Sequence, residues 1–157
     1  MDYEVREYCN SDKDDVLSLG RLCFSDVPDQ NFESQRLSWL LKAPYGTHAW
    51  VVETQSRLVG FVGRLIVLFQ VYDRQVLGNI AFDLMVHPSH RGQGIGRRLL
   101  SDSREQLSRR GVRISLGSTN NVAKYVSQSS GTFVLGRGVT FFLPLTFRGR
   151  LILKQGL

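Results

Sequence analysis

The chain has 157 residues, with 20 Lys and Arg against 14 Asp and Glu, a net charge of +6. That length fits one core before chains divide into domains, and 42% hydrophobic with 22% charged residues is a globular composition, not a disordered one. The apolar run Leu65–Phe69 is far short of the ~20 residues that cross a bilayer. The start, Met1 to Glu7, lacks the basic and apolar segments of a secretory signal, so a soluble, cytoplasmic domain is expected. The basic surplus points to an anionic partner without naming it. Cys9 and Cys23 make no CxxC pair, and free buried thiols in a reducing compartment are expected of them.

In chain order, Tyr3, Val5 and Glu7 alternate as a short strand, and Ser11 with Asp14 fits a capping box ahead of a helix carrying Val16, Leu19 and Cys23. A second helix runs through Phe32, Leu37, Leu40 and Leu41 and closes at Pro44 and Gly46. The period then changes to that of strands at Ala49–Glu53, Leu58–Gln70 and a segment ending Phe82–Val86, joined by short turns as antiparallel hairpins. His87-Pro88 stops the ladder, because proline lacks the donor N–H. Ile95, Leu99, Leu100 and Leu107 form the apolar stripe of a four-turn helix ended by Gly111. Val112, Ile114 and Leu116 alternate as a strand, Asn121 to Ser129 suits a short helix, and Phe133, Leu135, Val139, Phe141 and Leu143 suggest two last strands. The order predicts an α/β (α+β) fold with one sheet and helices on its faces.

The most informative segment is Val86-His87-Pro88-Ser89-His90-Arg91-Gly92-Gln93-Gly94-Ile95-Gly96-Arg97-Arg98-Leu99-Leu100. Alternating glycines at a strand-to-helix turn let backbone N–H groups approach a ligand, and the helix start adds unpaired donors and positive dipole. The result is an anion pocket sized for a pyrophosphate, with Arg91, Arg97 and Arg98 at its rim. A P-loop would need Lys-Ser/Thr after the last glycine, and a dinucleotide fingerprint would need glycine where Arg97 stands. A kinase loop would need a downstream catalytic set that is absent.

The string V-x-P-x-x-R-G-x-G-I-G-x-x-L-L closely resembles the coenzyme A pyrophosphate loop of the GNAT acyltransferase superfamily, and the element order is similar to that family along nearly the whole chain. The resemblance implies a single domain over residues 1–157 with a mixed, mostly antiparallel sheet of six to seven strands flanked by about four helices. It implies acetyl-CoA or another acyl-CoA as co-substrate. Leu84, Met85 and Val86 would pair with the pantetheine arm, and Gly92, Gln93, Gly94, Ile95, Gly96 and Arg97 would hold the pyrophosphate. Asn120 or Asn121 lies where family members carry a cofactor-contacting asparagine. The family's general-acid tyrosine falls at Ser127, with Tyr125 the nearest phenol, so Tyr125, Ser127 or a water fills that role. The family's acid on the fourth strand falls near Ile80, which cannot act.

Asp83 stands in an otherwise apolar strand near the loop, where a carboxylate costs free energy unless paired. It is a candidate base for the attacking amine, and its other reading is a carboxylate satisfied by backbone N–H groups or an arginine. His87 and His90 have no neighbouring ligand to complete a metal set, and a solvated or capping role fits them better. His48 reads as an edge-strand histidine. Trp39, Trp50, Phe61, Phe69, Phe82, Phe141 and Phe142 read as core or sheet-face aromatics, and Arg109, Arg110 and Arg113 as a solvated face. No groove-reading or stacking motif supports nucleic acid. The basic tail from Arg148 fits an extra strand, a homodimer contact or the start of a longer segment. The functional expectation is acetyl or short-acyl transfer from acyl-CoA to a primary amine of a small molecule or protein, by direct attack in a ternary complex. Gly117 to Asn120 loosely resembles family members that acylate amino sugars. The alternative is a non-catalytic module that binds or senses acyl-CoA.

Overall fold

A computed structural model describes residues 2–25, 34–55, 57–119 and 121–136. The elements are β1 (Glu4–Glu7), α1 (Lys13–Cys23), α2 (Ser34–Leu40), β2 (Thr47–Thr54), β3 (Arg57–Val71), β4 (Arg74–Val86), α3 (Ile95–Arg109), β5 (Ile114–Gly117) and α4 (Asn121–Ser129). Five strands form one sheet in the order β1-β2-β3-β4-β5. The first four are antiparallel neighbours, and β5 returns parallel to β4 after the α3 crossover.

The sheet is covered on both faces. On one lie Trp50, Val52, Val62 and Ile66 with Ile95, Leu99, Leu100 and Leu107 of α3, and Val126 of α4 packs at the margin. On the other, Val16, Leu17 and Leu19 of α1 and Leu37 of α2 meet Ala49, Val51, Phe61 and Met85. The alternation of Trp50, Val51 and Val52 between the two clusters is the period of two that puts successive strand residues on opposite faces. This is the mixed α+β sheet with helices on its faces that the sequence predicts, with five strands among the described residues instead of six to seven. No strand forms at 133–136, where Phe133 and Leu135 stand exposed. Val139, Phe141, Phe142 and Leu143, and the tail from Arg148, lie outside the described residues.

Several local expectations are corrected. The cap ahead of α1 is not Ser11 with Asp14. A 3₁₀ turn at Asn10–Asp12 comes first, and the Asp12 carboxylate accepts the Cys9 N–H at 2.8 Å. Cys9 is exposed and Cys23 half-buried, so neither is a fully buried thiol. Trp39 is 73% exposed and not core. Val112 is buried in the turn before β5, which starts at Ile114.

Asp12 also receives Arg6 Nη1 and Nη2, each at 2.7 Å, and Arg6 reaches on to Glu53 of β2. This pairing ties the entry of α1 to β1 and β2. The Arg6 guanidinium holds the Asp12 carboxyl down to about 2. A depressed carboxylate stabilises the fold above its unfolded value and loses that contribution as pH falls through the folded value, here between about pH 4 and pH 2. Asp12→Asn is therefore expected to cost about 2 kcal/mol at neutral pH. In urea melts at stepped pH, the variant and the wild type should converge toward pH 2; a gap that persists there would exclude this linkage.

Candidate active site

β4 parts from its parallel neighbour at the end that leads into the glycine loop. Pairing with β5 runs only from Gly78 and Ile114 to Ala81 and Gly117. On the other edge, the register jumps from Gly63–Phe82 to Phe61–Met85, so Val62 faces the two residues Asp83 and Leu84. This is a β-bulge, and Asp83 within it has φ +48°. A bulge bends its strand and increases its twist, and a positive φ is uncommon for any residue but glycine, asparagine or aspartate. The polar residue that breaks the apolar run Ile80–Val86 lies within the bulge.

Beyond the bulge, His87 N–H donates to Val59 O at 2.8 Å. By the alternation of an antiparallel ladder, Val86 then turns its N–H and C=O away from β3. The Val86 carbonyl accepts Arg91 Nε at 3.2 Å and the Cys23 thiol at 3.4 Å. Met85 is buried among the α1-side residues, whereas Leu84 and Val86 face α3. A Cβ on Gly96 would stand 3.2 Å from Val126, 3.7 Å from Val86 and 3.9 Å from Leu84. Leu84, Val86, Gly96 and α4 are thus brought together, and the absent side chain at Gly96 permits the approach.

The loop itself has open donors. Gly92 and Gly94 both have φ +78°, and an added Cβ at either would meet nothing within 4 Å. Gly94 is the N-cap of α3 and offers no side chain to satisfy its first turn, which holds no acidic residue. Among the described residues, the amides of Gly92 through Arg97 have no hydrogen-bond acceptor. A row of unpaired N–H groups at a helix N-terminus, facing open space, is what an anion requires. The donor set and the space at Gly92 and Gly94 fit the pyrophosphate of coenzyme A.

The three rim arginines differ. Arg91 is tied back to Val86. Arg98 donates to Tyr3 O at 2.7 Å and lies 3.6 Å from Asp102. Arg97 is exposed and has no partner among the described residues.

Of the remaining expected residues, Asp83 lies at the bulge, half-buried and engaged by its surroundings. α4 is helical throughout Asn121–Ser129, so Tyr125 and Ser127 project on either side of Val126. Tyr125 is 74% exposed. Ser127 is half-buried, and its carbonyl accepts the Thr132 N–H at 3.2 Å. Asn121 begins α4, and Asn120 lies outside the described residues. His87 caps the turn at Pro88–His90, its Nδ1 accepting from Ser89 N and Oγ. His48 lies on the interior strand β2 beside Arg110, whose Nη1 is 2.8 Å from its Nδ1. Desolvation and that cation hold the His48 pKa below its ordinary value, in the neutral form. Burial pushes the Cys23 thiol up, away from the thiolate that nucleophilic chemistry needs.

Sequence reasoning passed over one group. Arg64 of β3 is 2% exposed and, among the described residues, has no carboxylate partner. Its donors reach Ser103 Oγ (2.8 and 3.2 Å), Leu100 O (3.3 Å), Asn79 Oδ1 (3.4 Å) and Ser115 Oγ (3.2 Å), joining α3 to β3, β4 and β5. Desolvation, with Arg104 nearby, pushes its pKa down to about 10. The available signal was an arginine heading the apolar run Leu65–Phe69.

Comparison with known proteins gives the following likenesses. Residues 45–128 match the model of the acetyltransferase (GNAT) domain. An uncharacterised N-acetyltransferase of Archaeoglobus fulgidus is 28% identical over 135 residues, covering 80% of this chain and 90% of that one. The crystal structure of a Trypanosoma brucei acetyltransferase superposes with TM-score 0.72 at 22% identity, over 90% of this chain and 100% of the other. The structure of the aminoglycoside N-acetyltransferase AAC(6')-Iy with a CoA-containing bisubstrate analogue superposes with TM-score 0.72 at 16% identity, over 91% and 99%.

Proposed function

The chain belongs to the GNAT acetyltransferase family, and from that premise we propose that it is an acyl-CoA-dependent N-acetyltransferase acting on a primary amine by direct attack in a ternary complex. The observation that carries this reading is the row of acceptor-free amides from Gly92 to Arg97 at the start of α3, beside the parted strands β4 and β5. The bound acyl-CoA supplies a thioester acyl group. The loop amides and the helix dipole hold its diphosphate, Arg97 adds charge at the rim, and the strand Leu84–Val86 lies alongside the pantetheine arm. Asn120 or Asn121 contributes a further cofactor contact. Backbone donors of the parted strand polarise the carbonyl that is attacked. Asp83 at the bulge takes the proton of the amine, directly or through water, and Tyr125, Ser127 or a water returns one to the leaving sulfur. The raised pKa of the Cys23 thiol supports direct transfer over a covalent acyl-enzyme.

The acceptor we favour is an amino sugar. The loose resemblance at Gly117 to Asn120 supports it, as does the aminoglycoside chemistry of a fold neighbour. The same reading takes residues 1–157 as one domain working in the cytoplasm on small molecules, without metal, nucleic acid or membrane. Among the described residues no helix is long and apolar enough to cross a membrane.

The test is release of free CoA from acetyl-CoA across a panel of amino sugars, polyamines and peptide amines. Turnover with at least one amine is expected. Asp83→Asn should lower kcat at least tenfold with little change in KM for acetyl-CoA. Binding of acetyl-CoA without turnover on any amine would favour the sensing module instead.

A further inference from the structure

The glycine loop is built from two residues in the left-handed region with open space around them, so its own packing does little to fix it. One residue from the far end of the chain spans it. The Tyr3 hydroxyl donates to Gln93 Oε1 and lies 3.2 Å from His90 Nδ1. Its ring meets His90 edge-on at 6.0 Å between centroids, and its main-chain oxygen accepts Arg98 Nη1 at 2.7 Å. Since the hydroxyl proton goes to Gln93, the hydroxyl oxygen accepts from His90, which fixes a proton on His90 Nδ1. The contacts grip the loop before its first glycine, between its glycines and after its helix has begun.

We propose that Tyr3 is a positioning residue for the anion loop, holding His90, Gln93 and Arg98 so that the amides of Gly92 to Arg97 converge on a diphosphate before it arrives. This rests on the reading of the loop as the coenzyme A site. Tyr3 acts through the loop, by lowering the ordering cost that binding would otherwise carry. The residue that leads into β1 thereby supports the loop, although β1 lies at the opposite edge of the sheet from β5.

Tyr3→Phe keeps the ring and the main-chain oxygen and removes only the hydroxyl. The expected result is a CoA Kd by calorimetry, and a KM for acetyl-CoA, raised roughly five- to tenfold, with kcat at saturation within twofold. In the ligand-free protein, amide order parameters at Gly92 to Gly96 should fall from the rigid range near ~0.85 toward ~0.6, while those of β2 and β3 stay unchanged. Gln93→Ala should weaken binding similarly, and the double variant should be no weaker than the worse single one. Wild-type affinity and loop order in Tyr3→Phe would overturn the proposal, as would loss of order across the whole sheet edge. A wild-type protein that takes up no CoA would overturn the functional reading as well. CoA binding by the wild type with Tyr3→Phe unaltered would overturn this proposal alone.

Discussion

Gly94→Glu is expected to abolish coenzyme A binding while leaving the protein folded. Gly94 has φ +78° and ψ 1°, and a Cβ there would meet nothing within 4 Å. The new side chain would enter the open space into which the loop amides point. Backbone strain at a left-handed position costs about 1–2 kcal/mol. A carboxylate beside an uncapped helix N-terminus recovers about 0.3–1 kcal/mol of that, so a modest drop in Tm is expected. Binding suffers twice, because the carboxylate occupies the anion's donors and also repels it. One unit charge about 5 Å from another costs about 3 kcal/mol at an effective dielectric near 20, which is a loss of more than a hundredfold. Gly94→Ala separates the causes, since it brings the strain without the charge and should lose no more than about tenfold. Calorimetry on the three proteins decides it. An undiminished affinity in Gly94→Glu would remove the loop from the cofactor site.

Arg64 should be the most costly single side chain to delete from the sheet. It is buried, with its donors reaching acceptors on two other strands and a helix, and Arg64→Ala leaves both a cavity and acceptors without their donor. A loss of about 3 kcal/mol or more is expected, a fall of roughly 6–12 °C in Tm for a chain of this size. Arg64→Met should recover at least half of that loss. It fills the space, and it removes a cation whose pKa burial has already lowered to about 10. The partners retain contacts among themselves: Ser103 Oγ donates to Leu99 O at 2.6 Å, and Ser115 Oγ to Asn79 Oδ1 at 3.2 Å. A methionine variant as unstable as the alanine one would show that the charged hydrogen bonds, and not the packed volume, hold α3 to the sheet.

The fold was legible where the pattern was long. The apolar stripe of Ile95, Leu99, Leu100 and Leu107 marked α3, and the strand-rich run Leu58–Gln70 marked β3, because the pattern of apolar residues sets which face is buried. The glycine loop was legible for a different reason, since its residue types are dictated by backbone geometry and by the donors that an anion needs. What escaped depends on contacts between distant parts of the chain. Nothing near Tyr3 announces its partners at His90, Gln93 and Arg98, and Arg64 reads as a polar interruption until Asn79, Ser103 and Ser115 surround it. The capping box was misplaced because Ser11 and Asp14 satisfy its spacing, while Asp12 is the residue that Arg6 can reach. Asp83 was singled out for its charge, and its place at the bulge came only from the register jump.

Outside this loop, Arg109 and Arg110 are paired with Glu105 and Glu7 and add nothing to the basic surplus. Arg97 is the loop arginine left without a partner among the described residues. The most direct measurement is a titration of the isotope-labelled protein with CoA, read as backbone amide shifts. The largest shifts are expected at Gly92 to Arg97, with smaller ones at Leu84 to Val86. Shifts centred on Arg109, Arg110 and Arg113, or none at all, would contradict it.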